Sequence, residues 1–182
     1  FDDALVAAGD EDEMLDASGA IRPGWKALVS ALDGLGQAER TARFERADQY
    51  LHDAGVYYRK YDGASGKDRA WPLAHLPLLI EETEWADISA GLTQRAELLE
   101  RVIADIYGDN RLVQQGLLPP ELIAQNQEFL RPLVGVKPRS GAYLHFCAFD
   151  LGRAANGAWQ VLGDRTQAPS GAGFALENRV AT

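Results

Sequence analysis

Apolar positions recur every three or four residues through most of this chain, and they alternate only near its end. A turn is expected around Ser18-Gly19. Pro23 suits a helical first turn, and Trp25, Leu28, Val29 and Leu32 follow at helical spacing until Gly34 and Gly36. A second helix is expected over 37–53, with Phe44, Ala47, Tyr50 and Leu51 on one face and Gly55 closing it. The run VYYRKY at 56–61 predicts a strand, 62–68 a glycine-containing turn, and Leu78-Leu79-Ile80 a short buried strand or extended piece. The longest helix is expected over 83–107, where Trp85, Ile88, Leu92, Ala96, Leu99, Val102, Ile103 and Ile106 share a stripe. Thr83 suits its N-cap and Gly108 its stop. Short helices follow at 110–115 and 121–126, then a loop at 131–141. After that the texture changes: 143–151 predicts a strand, Asn156-Gly157 a turn, and 159–162 the returning strand. The fold class is therefore α+β. A helix-rich region, 1–135, precedes a hairpin and Gly-rich segment, 136–182, that opens a second core.

Composition narrows the picture. A hydrophobic fraction of 46% and a charged fraction of 25% are ordinary for a soluble globular protein. No apolar run approaches the roughly 20 residues that span a bilayer. The acidic start lacks the pattern of a secretory signal, and there is no initiator Met, so a trimmed chain and a cytoplasmic location are expected. The net charge of −9 argues against a general nucleic-acid binder. One cysteine, Cys147, leaves no internal disulfide, and its mid-strand place on the apolar side suggests core. His52, His75 and His145 lack metal-ligand spacing.

The C-terminal hairpin carries the candidate chemistry. Asp150 precedes its turn and Asp164 follows it, so register decides whether the two carboxylates meet. With a two-residue loop Asp150 opposes Gly163 and the acids point to opposite faces. With a three-residue loop and Gly157 left-handed, 150 pairs with 162 and 148 with 164, and the acids share a face. The second register places Phe149, Leu151, Trp159 and Val161 on one face and Asp150, Gly152, Gln160 and Asp164 on the other. Leu162 is its one misfit. One apolar and one polar face suit a half-buried pair, so the three-residue loop is expected. Two carboxylates on one face suit magnesium, which takes one or two carboxylates plus phosphates; two solvated aspartates are the plainer alternative. Arg153, Arg165 and Arg179 are natural partners of phosphate or carboxylate, or else members of surface ion pairs. Ser170-Gly171-Ala172-Gly173 places backbone N–H groups around an anion if a helix starts near Phe174, but it is no Walker A loop.

The stretch from Asp150-Leu151-Gly152-Arg153 through Asn156-Gly157 and Trp159 to Asp164-Arg165-Thr166-Gln167-Ala168-Pro169-Ser170-Gly171 and on to Glu177-Asn178-Arg179 resembles the circularly permuted ATP-grasp family. That family is related to glutathionylspermidine synthase. The resemblance extends upstream through Asp12-Glu13-Met14-Leu15-Asp16, Arg22-Pro23, Trp71-Pro72-Leu73, Gln94-Arg95-Ala96, Tyr107-Gly108, Gly116 to Pro120 and Phe129 to Pro132. It implies an ATP-dependent carboxylate–amine ligase that forms an acyl phosphate and then an amide or peptide bond. By resemblance Asp150 and Asp164 are magnesium ligands, and Arg165 and Arg179 contact the phosphate or acyl phosphate. Arg153, Thr166, Ser170, Gly171, Gly173, Glu177 and Asn178 lie on the nucleotide side. Asp164-Arg165-Thr166 stands where ordinary members carry Glu-x-Asn, and Arg59-Lys60 is more basic than related sequences. The ATP-clamping loop and lysine are expected beyond Thr182, so the chain should be the front portion of a longer protein and bind ATP weakly alone. Company with α-E and transglutaminase-like proteins is also implied.

Two function classes therefore stand side by side. One is the ligase portion, with ATP, magnesium and a carboxylate and amine as ligands. The other is a non-catalytic binding module with a vestigial half-site, whose helical part docks a protein. Asp150 and Asp164 discriminate them: a shared open face favours the first, and a closed salt bridge on either favours the second.

Overall fold

The computed structural model describes residues 12–58, 69–154 and 156–182. Mixed helix and two small antiparallel hairpins make it α+β. The described residues form two compact units: the part up to Glu81 together with Ser170–Thr182, and Glu82–Pro169. This division follows contacts and differs from the compositional one after residue 135.

In the first unit, Asp16 Oδ1 accepts the Ser18 and Ala20 N–H groups, turning the chain at Gly19 (φ 80°). A bridge between Leu15 and Ile21 closes that turn. Pro23–Trp25 form one 3-10 turn that runs into α1, Lys26–Asp33. Helix α2, Gln37–Asp53, occupies the expected span and stops at Gly55, φ 80°. Leu15, Trp25, Leu51 and Val56 are the buried apolar residues of this unit. Strands β1 (Tyr57–Tyr58) and β2 (Arg69–Ala70) pair antiparallel; the rest of the strand and turn expected at 56–68, including Arg59-Lys60, lies outside the described residues. Leu78-Leu79-Ile80 forms no strand and is not buried: Leu78 is 51% exposed and Ile80 38%. Pro77 immediately precedes this stretch, and a run of three apolar residues without a pairing partner stays irregular. Phe44 instead stacks on His75 (4.4 Å), whose Nε2 lies 3.3 Å from Asp48 Oδ2. Helix α6, Ala172–Ala181, returns to this unit: Phe174 stacks on Trp71 at 4.8 Å and Tyr50 donates to Glu177 at 2.8 Å.

The second unit is built on α3, Glu82–Ile106. It starts one residue before the expected Thr83. Asp105, in its last turn, accepts the Arg111 and Leu112 N–H groups and so caps α4, Arg111–Gln114. Helix α5, Pro120–Ala124, follows with proline in its first turn. Glu100 of α3 captures the N–H groups of Tyr143 (2.9 Å) and Leu144 (2.8 Å). Those donors are thus taken from any ladder, and β3 begins only at Ala148, not at 143. Cys147 consequently precedes the strand and is half-buried, not a core residue within it. Strands β3 (Ala148–Arg153) and β4 (Trp159–Arg165) form the C-terminal hairpin. Ile88, 8% exposed, is the buried residue of this unit.

Candidate functional site

The hairpin turn has the expected loop. Ala154 N–H donates to Ala158 O (2.9 Å), Gly157 N–H donates to Ala154 O (2.8 Å), and Gly157 sits at φ 82°. Next to the turn Arg153 faces Trp159, Gly152 faces Gln160 and Leu151 faces Val161. The register then slips. Leu162 is the extra residue of a bulge, after which Asp150 faces Gly163, Phe149 faces Asp164 and Ala148 faces Arg165. The expected pairing of 150 with 162 and 148 with 164 is thus overturned, and with it the shared face for the two acids. A one-residue slip turns every later side chain over. The misfit of Leu162 was the visible trace of that slip; its side chain lies over Gly152 and stays 70% exposed.

One hairpin face therefore carries Phe149, Leu151, Arg153, Trp159, Val161 and Asp164, and this face meets α3. Arg95 donates Nε to Asp164 Oδ1 (2.7 Å) and Nη2 to Oδ2 (2.8 Å), a bidentate fork. That fork holds the Asp164 carboxyl below its usual range and raises Arg95. At the turn end, Glu84 accepts the Trp159 indole N–H (3.0 Å) and lies 3.1 Å from Arg153 Nη1. The Arg153 guanidinium rests 4.6 Å from the Trp159 ring centroid. The two anchors match in length: eleven helical residues from Glu84 to Arg95 rise about 16 Å, as do the five strand steps from 159 to 164. Glu84, Ile88, Leu92 and Arg95 lie on one side of α3, so charges at both ends of an apolar stripe were the sequence signal for this clamp.

The opposite face carries Ala148, Asp150, Gly152, Gln160, Gly163 and Arg165. Arg165 donates Nε (3.0 Å) and Nη2 (2.9 Å) to the single oxygen Asp150 Oδ2. The pair is open, 65% exposed at Arg165 and 50% at Asp150. The two carboxylates that the resemblance assigns to magnesium do not meet: this face offers Asp150 alone, paired with Arg165 and opposite Gly163. Among the described residues no group of three or more potential metal ligands occurs.

Of the remaining candidates, Thr166 belongs to the same unit as the hairpin, while Ser170, Gly171, Gly173, Glu177, Asn178 and Arg179 belong to the unit of α1 and α2. Helix α6 starts two residues before Phe174; Gly171 stands at its N-cap with φ 116°, which demands glycine. Glu177 is taken by Tyr50, whose phenol that bond pushes up. Asn178 Oδ1 is buried without a hydrogen-bond partner among the described residues. The side chains of Thr166, Ser170 and Arg179 make no hydrogen bond or ion pair among them either.

A profile of the family described as circularly permuted ATP-grasp type 2 matches residues 77–182. An uncharacterized protein of Synechocystis is 34% identical over 168 residues, covering 92% of this chain and 35% of that protein. An uncharacterized protein of Mycobacterium leprae is 34% identical over 168 residues, 92% of this chain and 29% of its own length. One from Mycobacterium tuberculosis is 33% identical over 178 residues, 92% of this chain and 20% of its own. The chain thus spans about a third or less of these relatives. No helix of the described residues is long and apolar enough to cross a membrane.

Proposed function

Because this chain belongs to the circularly permuted ATP-grasp type 2 family, we propose that it is the front part of an ATP-dependent ligase that activates a carboxylate as an acyl phosphate and passes it to an amine. The observation that supports a ligand-facing role for the hairpin is the open Asp150–Arg165 pair on the face turned away from α3. Phosphoryl transfer depends mostly on positioning and charge neutralisation. Arg165 supplies a bidentate donor for a phosphate or carboxylate oxygen, and Asp150 holds that guanidinium in place until an anion displaces it. Arg179, with its side chain exposed on α6, is the second such donor. On α6 the reading gives Ser170, Gly171 and Gly173 backbone N–H donors to the nucleotide, and it keeps Thr166, Glu177 and Asn178 as nucleotide contacts on the family resemblance alone. Arg153 and Asp164 serve the reaction indirectly, by fixing the hairpin on α3. Amide or peptide bond formation, a cytoplasmic setting, and α-E and transglutaminase-like partners complete the reading.

A second reading, a non-catalytic module with a vestigial half-site, is favoured by two observations: the aspartates lie on opposite faces, and each is already in an ion pair. Equilibrium binding of Mg-ATP to the longer protein carrying this chain separates the two. The ligase reading expects binding that Arg165→Ala weakens at least about tenfold, roughly the loss of one charge-assisted contact, with unchanged circular dichroism. Absence of Mg-ATP binding in the unaltered protein supports the module instead.

A further inference from the structure

The hairpin leaves one strand edge open. The Ala154 N–H to Ala158 O bond makes 154 and 158 a hydrogen-bonded pair. Bonded and non-bonded pairs alternate along an antiparallel ladder, so Gly152–Gln160 is the next bonded pair and Leu151–Val161 and Arg153–Trp159 are non-bonded. The backbone N–H and C=O groups of Trp159 and Val161 therefore point away from β3. Among the described residues nothing bonds to them, and the sheet has two strands. An isolated two-stranded ribbon is marginal, and an unprotected edge is a template for pairing.

A groove of about 850 Å³ follows this edge. The turn and β4 contribute Gly157 to Val161 to its wall, whereas β3 contributes Leu151. Its floor is α3, with Ile88, Gly91, Leu92 and Leu98. Leu98 is 60% exposed, and apart from Gly91's own helix backbone nothing lies within 4 Å of where a Cβ on Gly91 would stand. From Glu84 to Arg101 the floor runs about 25 Å, room for about seven residues of extended chain. The groove thus offers backbone partners along its wall and apolar contacts on its floor, the two requirements for adding a strand.

We propose that an extended segment of this protein's remainder, the part its relatives carry beyond the matched third, pairs with β4 at Trp159 and Val161 and lays alternate apolar side chains over Gly91 and Leu98. The proposal rests on the reading that the chain is part of a longer protein, and not on its chemistry as a ligase. The relatives hold 65% or more of their length outside the matched region, which is ample to supply one strand.

Residue-resolved amide hydrogen exchange tests this, comparing the 182-residue chain with the longer protein that carries it. The expected result is exchange at Trp159 and Val161 at least about a hundredfold slower in the longer protein, with Gln160, already bonded within the hairpin, changing little. Equal rates at Trp159 and Val161 in the two proteins overturn the proposal. Protection in the shorter chain that grows with its concentration assigns the edge to a second copy and overturns it too. If fast exchange at Gln160 shows that the hairpin does not form in the shorter chain, the longer protein decides alone. Trp159 and Val161 as slow as Gln160 then support the added strand, and fast exchange there beside a slow Gln160 overturns it. Mg-ATP binding is read separately, so a failed ligase reading and a failed strand are told apart.

Discussion

The two faces of the β3–β4 hairpin carry one aspartate each and use it differently. Toward α3, Asp164 meets Arg95 through both oxygens, and the Trp159–Glu84–Arg153 cluster anchors the other end of the same face. Away from α3, Asp150 meets Arg165 through one oxygen in an open setting. The same pair of residue types is a brace on one face and a displaceable charge pair on the other. What separates them is a single bulged residue, Leu162, which turns Asp164 inward.

The largest blow to this asymmetry should come from Ile88→Ala. It removes the buried contact of the unit and should cost about 2–3 kcal/mol in chemical denaturation. Glu84→Ala should come next, at about 1–2 kcal/mol, because it strips an acceptor from the Trp159 indole and a counter-charge from Arg153. The Asp164 brace should show itself through pH. Its carboxyl lies below the usual range when folded, first because of the Arg95 hydrogen bond. Its contribution is therefore full above the unfolded value of about 3.9 and is lost as pH falls through the lower folded value. The gap in thermal midpoint between the unaltered chain and Asp164→Asn should hold from neutral pH to about 5 and close below about 4. Least affected should be the outer face: Leu162→Ala, at 70% exposure, should change stability by under about 0.5 kcal/mol.

Much of this was legible in the sequence, for local reasons. The extent of α2, the α3 stripe and the three-residue turn at Gly157 each follow from spacing or from a residue that needs a positive φ. The α+β class followed from helical spacing that gives way to alternation near the end, and the family resemblance was carried most specifically by the hairpin stretch. What was not legible depends on long-range partners. The failure of a strand at 143–147 traces to Glu100, more than forty residues upstream, taking the Tyr143 and Leu144 amides. The bulge turns Asp164 to Arg95, a partner 69 residues upstream that alternation within the hairpin cannot show. Alternation left Leu162 as its one misfit and assigned Asp164 to the wrong face, and the misfit marked where the simple ladder breaks.

Asp164 braces the hairpin on α3, while Asp150 serves the outer face. Amide exchange at Gly152 and Gln160, the bonded pair at the hairpin's middle, compares Asp164→Asn with Asp150→Asn most directly. Exchange should be severalfold faster in Asp164→Asn and within about twofold of the unaltered chain in Asp150→Asn, as for an exposed surface pair. Equal acceleration in both, or a larger effect from Asp150→Asn, would contradict that division of roles.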